Sequence, residues 1–244
     1  DQGEMEFLVA ERVWKETSRA LTEQSPHIYI EVLRNCGALN VLFPEIDALF
    51  GVPQRADYHP EVDTGIHTLM ALEQAVKISD SGAVRFSVLV HDVGKALTPD
   101  TVLPSHTGHE TSGIPLVQAM CDRLGVPNQY RQLAMAVTEY HLHSHKAKEL
   151  KPATMLKLFQ SIGALRDNNR LKDFLYCCEA DARGRAGFEE ITYQPKKYLT
   201  DALLALQKVD ISDLVADGVK GSDIGVQLKQ RQIEQLTIFK SENL

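Results

Sequence analysis

Residues 84–95 have the sequence VRFSVLVHDVGK, an apolar run that ends in His91 and Asp92. A segment this apolar is expected to pack in the middle of a domain. Burying a histidine and an aspartate side by side costs several kcal/mol unless another group satisfies both. A divalent metal does so, because it takes imidazole nitrogen and carboxylate oxygen in one site. The run therefore predicts a metal site at the end of a buried helix, with further ligands supplied by the rest of the chain.

Composition is that of an ordinary globular protein. The 244 residues allow one large domain or two small ones with a sizeable core, and 43% of them are apolar. No window approaches about eighteen uninterrupted apolar residues, which argues against a transmembrane span. The formal net charge of −7 argues against a broadly basic surface for nucleic acid. Two local basic segments remain as candidates: Lys146, Lys148, Lys151 and Lys157, and Arg183, Arg185, Lys196 and Lys197.

Cysteine usage and the start of the chain bear on location. The sequence contains four cysteines, Cys36, Cys121, Cys177 and Cys178, without a Cys-x-x-Cys pair. This pattern fits a reducing compartment, so we expect a cytoplasmic protein in which all four thiols are buried. The first residues show neither a signal-peptide pattern nor an initiator methionine. We therefore expect a processed chain or a fragment of a longer one.

Hydrophobic periodicity predicts an all-α fold. Apolar residues recur at three- and four-residue steps, and strand-like alternation is almost absent. Proline, glycine and capping residues predict helices over residues 4–23, 26–36, 63–77, 83–93, 107–124, 127–143, 152–162, 171–182, 198–206 and 222–240. Prolines and a glycine between residues 44 and 60 mark a boundary. We expect a connector over residues 1–50, a main domain over 51–187 and a tail over 188–244.

Helical spacing indicates which polar residues occupy apolar faces. Asp181 follows a stripe that includes Leu171, Phe174 and Cys178, where an unpaired carboxylate would be strongly destabilising. Other segments place polar groups inward in the same way, at His67, His91-Asp92, His109 and His141. A lone inward histidine is often a satisfied core residue. Several of them on different helices favour a shared metal over a metal-free hydrogen-bonded network.

The same residues carry a family resemblance. The ordered series His67, His91-Asp92 and Asp181 resembles the signature of the HD phosphohydrolase superfamily. Residues 43–53 (FPEIDALFGVP), 59–69 (HPEVDTGIHTL) and 179–185 (EADARGR) resemble the C-terminal part of one family within it. That family is the bacterial multifunctional CCA proteins, the tRNA nucleotidyltransferases of gammaproteobacteria. Residues 11–16 (ERVWKE) resemble its neck helix. The resemblance implies an all-α HD-domain fold preceded by short neck helices.

The resemblance also implies activities. They are those of a 2′,3′-cyclic phosphodiesterase, a 2′-nucleotidase and a phosphatase, in the maturation and repair of tRNA 3′ ends. The expected partners are the tRNA 3′ end, or nucleotides with a 2′-phosphate or 2′,3′-cyclic phosphate, and a second copy in a homodimer; no membrane is expected. The family's Gly-Gly phosphate loop and paired-aspartate motif do not occur in this sequence, so we do not expect this chain to add C or A to tRNA.

Specific roles follow for the candidate residues. We assign a first metal to His67, His91, Asp92 and Asp181. His109 and His141 would bind a second metal, as in binuclear HD enzymes, or else hold the phosphate. The predicted catalytic residues are His91, Asp92 and Lys95, with Asp92 bridging metals or taking a proton from water. Mixed nitrogen and oxygen ligands allow Mg²⁺, Mn²⁺, Ni²⁺ or Co²⁺, and the resemblance favours Ni²⁺ or Mg²⁺.

Three residues are predicted to contact substrate phosphate. Lys95 lies one turn beyond His91 on the same predicted helix face and would act as a point charge. Arg183, two residues past Asp181, would clamp phosphate as a planar fork. His106 lies in the loop ahead of His109, within reach of a bound phosphate.

Two other functions stay open at this point. An HD domain could hydrolyse a free nucleotide, as a 5′-nucleotidase or another nucleotide phosphohydrolase does. Alternatively, the helices could serve mainly to bind tRNA or to dimerise a longer enzyme. Comparing the turnover of 2′-AMP, 3′-AMP and 2′,3′-cyclic AMP distinguishes the first alternative from the activities that the resemblance implies. Full hydrolytic activity in an Asp92→Ala protein would favour the second.

Overall fold

The computed structural model describes residues 9–213 and 221–243, and no strand occurs in those ranges. The prediction of an all-α fold is therefore confirmed. The described helices are α1 (Ala10–Thr22), α2 (Pro26–Asn35), α3 (Ala38–Leu42), α4 (Pro44–Asp47), α5 (Thr64–Ile78), α6 (Gly82–Val90), α7 (His109–Leu124), α8 (Asn128–His145), α9 (Pro152–Ser161), α10 (Asn168–Arg183), α11 (Gln194–Leu206) and α12 (Ser222–Asn243). Short 3₁₀ segments span Val93–Leu97, Asp100–Val102 and Ala147–Glu149. Residues 4–8 of the first predicted helix lie outside the described residues. Within the described part of the chain, no helix is both long and apolar enough to cross a membrane.

The helix that precedes His91 ends earlier than predicted. α6 stops at Val90, and a 3₁₀ segment begins at Val93. The backbone of Asp92 has φ −106° and ψ 8°, which lies outside the helical region and interrupts the helix. The predicted end at residue 93 is therefore wrong. As a result, His91 and Asp92 project from the end of a helix, and Lys95 lies in the following 3₁₀ turn.

Helix starts follow local capping chemistry. Asp63 caps α5, because its carboxylate accepts a hydrogen bond from the Ile66 amide at 2.9 Å. α7 begins after Gly108, whose φ of 86° is left-handed, rather than after a capping Thr107 as predicted. His109 is consequently the first residue of α7, where the chain turns into the helix.

The chain divides into two compact units. Unit 1 comprises residues 9–142 together with Asp173–Thr192. Unit 2 comprises His143–Lys172 and the described residues of Tyr193–Leu244. The division falls within α8 and α10. All of the predicted site residues belong to unit 1.

Aromatic packing attaches α1 to the centre of unit 1. The Trp14 ring makes edge contacts with Phe86 and Tyr130, at centroid distances of 5.3 and 5.0 Å. Trp14 and Phe86 are both buried and belong to one apolar cluster that extends from α1 to α8. Contacts of this kind dominate core energetics because each ring buries a large apolar area. α6, which leads to His91, is therefore fixed along its length by its neighbours.

A buried arginine closes the opposite end of α6. Arg85 is only 1% exposed, and its guanidinium donates to the carbonyl oxygens of Leu21, Glu23 and Ser79 at 2.8, 2.9 and 3.0 Å. These carbonyls lie at the C-terminal ends of α1 and α5, where the helix dipole favours a cation. One side chain thus satisfies carbonyls at two helix ends and holds both helices against α6.

Gly94 allows the 3₁₀ segment after Asp92 to lie directly against α7. A Cβ atom at Gly94 would collide with the His109 carbonyl oxygen and lie 2.7 Å from the Gly113 amide nitrogen. Only glycine permits this approach of one backbone to another. The contact brings Asp92 to the start of α7 and so next to His109.

Unit 2 is a smaller helical cluster. α12 packs on both α9 and α11, and the rings of Tyr198 and Phe239 lie 5.2 Å apart. Lys240 donates to the Leu150 carbonyl oxygen at 2.7 Å. This bond fastens the end of α12 to the turn that precedes α9.

The cysteines are only partly as expected. Cys121, Cys177 and Cys178 are buried, but Cys36 is exposed where α2 ends. The prediction of four buried thiols is therefore wrong for Cys36. Its place at a helix terminus explains the exposure, since Gly37 turns the chain away there with φ 76°.

We predict that Gly94→Ala destabilises the protein by about 1–3 kcal/mol, because the added methyl group meets backbone that cannot yield cheaply. Gly225→Ala is the matched control, since a Cβ atom added at Gly225 in α12 would meet no atom within 4 Å. That control should stabilise by up to about 1 kcal/mol through helix propensity. Urea unfolding measures both. Equal effects of the two changes would contradict the proposed backbone contact.

Candidate metal centre

Six buried polar side chains from five helices or helix ends converge in unit 1. They are His67 in α5, His91 and Asp92 after α6, His109 at the start of α7, His141 in α8 and Asp181 in α10. Each is at most 7% exposed. The structure thus brings together all six residues that the sequence predicted as ligands from helical spacing and from the family resemblance.

The first group contains His67, His91 and Asp181. The Nε2 atom of His67 lies 3.1 Å from Asp181 Oδ1, and that of His91 lies 3.7 Å from the same oxygen. One ligand atom from each residue lies within 4.8 Å of the others. This spacing suits a single cation bound between them.

The second group contains Asp92, His109 and His141. Asp92 Oδ1 lies 3.1 Å from His109 Nε2 and 3.7 Å from His141 Nε2. The two imidazole nitrogens are 3.3 Å apart. The other oxygen of Asp92, Oδ2, faces the first group, 3.3 Å from His91 Nε2 and 4.0 Å from His67 Nε2. Asp92 therefore connects the two groups through its two oxygens.

Backbone carbonyls determine which nitrogen of each ring faces the centre. The Nδ1 atoms of His91, His109 and His141 lie 2.6, 2.7 and 3.0 Å from the carbonyl oxygens of Val88, His106 and Val137. A carbonyl only accepts, so each Nδ1 carries the hydrogen and a neutral ring presents a bare Nε2 inward. Hydrogen bonds of this kind are typical of histidines that bind metals.

The inward-facing atoms of the two groups are mostly hydrogen-bond acceptors, an arrangement that a cation would stabilise. In the neutral rings, two Nε2 lone pairs face each other at 3.3 Å. Among the described residues, His91 Nε2 and Asp92 Oδ1 are buried without a hydrogen-bond partner. Bare acceptors turned toward one another repel, and buried unpaired acceptors are costly. Nitrogen and carboxylate oxygen donors of this kind fit a divalent metal.

Titration in the metal-free protein reflects the same need for positive charge. Burial opposes a charge on His91, but Asp92 and Asp181 outweigh it and raise the pKa of His91 to about 10. Burial would raise the pKa of Asp92, yet His91 and Lys95 hold it well below its usual range. Burial lowers the pKa of His141 to about 3. Without a metal, a proton on His91 therefore supplies the positive charge.

Lys95 is buried rather than placed at an exposed helix end. Its Nζ atom lies 2.6 Å from Asp92 Oδ2 and donates to Gln54 Oε1 at 2.6 Å. The expectation that it continues the helix of His91 is wrong, because α6 has already ended. Its proposed contact with phosphate stays a prediction, made from a position beside the centre.

The other two predicted phosphate contacts already have protein partners. His106 Nδ1 lies 2.7 Å from Thr98 Oγ1, and its Nε2 lies 3.0 Å from the Pro53 carbonyl oxygen. Arg183 donates from Nε to the Glu189 carbonyl oxygen at 2.6 Å, and its terminal nitrogens lie near Glu179 and Glu190. A role in phosphate binding stays a prediction for both. His106 would have to open these bonds, whereas the terminal nitrogens of Arg183 are 3.6 and 3.8 Å from the two carboxylates.

Glu61 is a site residue that the sequence analysis did not assign. Its Oε1 atom lies 3.0 Å from Nδ1 of both His59 and His67, and its Oε2 accepts from the Ala186 amide at 3.2 Å. Burial would raise the pKa of Glu61, but the two histidines lower it. The Glu61 carboxylate thus lies beside the outer nitrogen of His67, where the other rings have a carbonyl. Helical spacing could not identify it, because it lies in a loop.

These features define a class, the all-α domains in which buried histidine and aspartate side chains form a candidate metal centre. The family model described as HD domain matches residues 64–186. The chain belongs to the HD domain family. A second model, described as probable RNA and SrmB-binding site of polymerase A, matches residues 4–50.

Curated relatives carry the name Multifunctional CCA protein. The one from Acinetobacter baumannii is 51% identical over 243 residues, which covers 100% of this chain and 59% of the relative. Those from Teredinibacter turnerae and Thioalkalivibrio sulfidiphilus are 49% and 50% identical, over 98% of this chain and 58% and 59% of the relative. This chain thus spans about three fifths of the length of the curated relatives it matches. The resemblance inferred from the sequence is confirmed.

We predict that Glu61→Gln lowers the affinity for Mn²⁺ about 10- to 100-fold, the usual effect of removing a residue that orients a metal-binding histidine. The glutamine amide is uncharged and attracts His59 and His67 less strongly than the carboxylate, and an NH2 group in place of Oε2 cannot accept from the Ala186 amide. Glu73→Gln is the matched control, because Glu73 lies on the exposed side of α5. Isothermal titration calorimetry measures both affinities, and an unchanged affinity in Glu61→Gln would contradict the orienting role.

We predict that the increase in Tm caused by a divalent ion grows as the pH rises from 6.5. His91 has a folded pKa of about 10 against 6.5 unfolded, so its protonated form stabilises the metal-free protein fully below pH 6.5 and loses that effect toward pH 10. Metal needs the deprotonated ring, so the proton competes less at higher pH. Thermal unfolding with Mn²⁺ or with excess chelator measures the difference, and a difference that shrinks with pH would refute the prediction.

Proposed function

We propose that this chain is a metal-dependent phosphohydrolase that acts on 2′-phosphates and 2′,3′-cyclic phosphates of nucleotides and RNA 3′ ends. The observation that carries the proposal is the pair of ligand groups joined by Asp92. Two adjacent cation sites formed by buried side chains suit phosphoester chemistry, where charge develops on both the attacking and the leaving oxygen.

The proposed ligand assignment uses each group in turn. His67, His91, Asp92 and Asp181 would hold a first ion, and Asp92 with His109 and His141 would hold a second. When bound, a divalent metal lowers the pKa of water and neutralises phosphate oxygens. Ni²⁺ and Mg²⁺ are the proposed ions, and Mn²⁺ and Co²⁺ also suit mixed nitrogen and oxygen donors.

The chain's own residues hold the metal-binding rings in place and supply positive charge for the phosphate. The carbonyls that accept from the histidine Nδ1 atoms keep each ring in one tautomer and orientation. Asp92 suits a bridging role better than that of a base, because neighbouring cations hold its pKa low. Lys95, ion-paired with Asp92, places positive charge where a phosphoryl oxygen would arrive.

An RNA substrate is proposed from the comparisons. Residues 4–50 match a model described as a probable RNA-binding site, and the relatives are named as CCA proteins. We propose the tRNA 3′ end as the physiological partner and a homodimer as the assembly. The proposed division is a connector over residues 1–50, an HD domain over 51–187 and a tail over 188–244. A cytoplasmic location is proposed with it.

We predict that Asp92→Asn lowers the hydrolysis of 2′,3′-cyclic AMP and 2′-AMP at least about 10³-fold, because it weakens both proposed metal sites and several kcal/mol of charge stabilisation are lost. Asp122→Asn, at an exposed position of α7, is the control and should retain activity. Steady-state assays with Ni²⁺, Mg²⁺, Mn²⁺ or Co²⁺ measure both variants.

The same assays separate the competing functions. Preference for a 5′-deoxynucleotide over 2′-AMP, 3′-AMP and 2′,3′-cyclic AMP would assign a 5′-nucleotidase instead. Full activity in Asp92→Asn would leave the cluster without a catalytic role. No hydrolysis by the wild-type chain with any of the metals, combined with binding of tRNA, would assign a binding module.

A further inference from the structure

A buried glutamine lies beside the metal centre. Gln54 is 3% exposed and belongs to the loop between α4 and α5. Its backbone amide donates to the Val62 carbonyl oxygen at 2.6 Å, and the neighbouring Pro53 carbonyl is held by His106. Both bonds hold the peptide unit that joins Pro53 to Gln54, so the backbone from which the side chain projects is fixed.

Lys95 determines which way the Gln54 amide points. The ammonium group of Lys95 has only N–H donors, so the atom 2.6 Å away must be the oxygen, Oε1. The amide nitrogen Nε2 then faces away from Lys95 with two hydrogens to donate. It is buried and has no hydrogen-bond partner among residues 9–213 and 221–243.

An unpaired buried donor is unfavourable, and one retained in a native structure requires an explanation, such as a catalytic role or a water, ion or ligand that completes it. Gln54 is separated from the centre by a single residue, since Lys95 Nζ also lies 2.6 Å from Asp92 Oδ2. The other candidates for phosphate binding, His106 and Arg183, already bond to protein atoms. The Gln54 amide is therefore a buried donor beside this centre that can still bind an incoming oxygen.

We propose that Gln54 is a substrate-binding residue whose Nε2 donates a hydrogen bond to a phosphoryl oxygen at the metal centre. Lys95 holds the amide in the required orientation and contributes positive charge to the same oxygen subsite. The proposal rests on the phosphohydrolase function proposed above, and it adds a specific contact that a 2′-phosphate, a cyclic phosphate and inorganic phosphate all share.

Two variants of the full chain test the contact. Gln54→Glu keeps an oxygen to accept from Lys95 but has no N–H to donate, whereas Gln54→Met keeps the approximate size and removes both functions. Isothermal titration of inorganic phosphate into the Mn²⁺-loaded protein should show the Kd raised about 10- to 100-fold in each, the usual effect of losing a hydrogen bond to a charged oxygen. KM for 2′-AMP should rise in both, while the affinity for Mn²⁺ in Gln54→Met stays that of the wild type. Gln118→Glu and Gln118→Met, at a half-buried position of α7 outside the centre, should change neither affinity.

Four outcomes would overturn the proposal. Weaker phosphate binding in Gln54→Met alone would mean that Gln54 acts through Lys95. Weaker phosphate binding in Gln54→Glu alone would mean that the added carboxylate only repels the phosphate. An unchanged phosphate affinity in both variants would mean that water satisfies the amide. The same would follow if the wild-type protein bound Mn²⁺ but not phosphate. If the wild type hydrolyses none of the nucleotides yet binds phosphate through Gln54, the proposed function fails and the subsite stands.

Discussion

The Asp92 carboxylate is the constraint on which the arrangement of unit 1 depends. One of its oxygens faces His109 and His141, and the other faces His91 and Lys95. A buried carboxylate is tolerated only when surrounded by positive or potentially positive groups. Because no single helix can supply groups on both sides of one carboxylate, several helix ends must meet around it.

The rest of unit 1 makes that meeting possible. Arg85 satisfies carbonyls at the ends of α1 and α5 and so fixes α6, which ends just before His91 and Asp92. Gly94 lets the next turn lie on the backbone of α7, and Gly184 lies against Ala71 where a Cβ would meet backbone of α5. Each glycine replaces side-chain packing by a close backbone approach. These approaches set the distances between the metal-binding candidates more strictly than apolar packing alone would.

Much of the fold and the candidate site could be predicted. Helical spacing showed that Asp181 and His141 face inward, because a period of 3.6 residues assigns each position to a face. It failed for Glu61 and Gln54, which lie in the loop between α4 and α5 and have no periodic pattern around them. It also failed at the end of α6, since Val93 keeps the helical spacing of Leu89 and Val90 while the backbone at Asp92 has already left the helix.

By itself, the sequence determined the helical architecture, the chemical types at the centre and the family to which they belong, because these follow from periodicity and from ordered motifs. Only the tertiary structure decided which atoms meet: that His67 and Asp181, 114 residues apart, come within 3.1 Å, and that Lys95 binds Asp92 and orients Gln54. The physical reason is that such contacts depend on how separate helices pack, and local spacing carries no information about distances between helices.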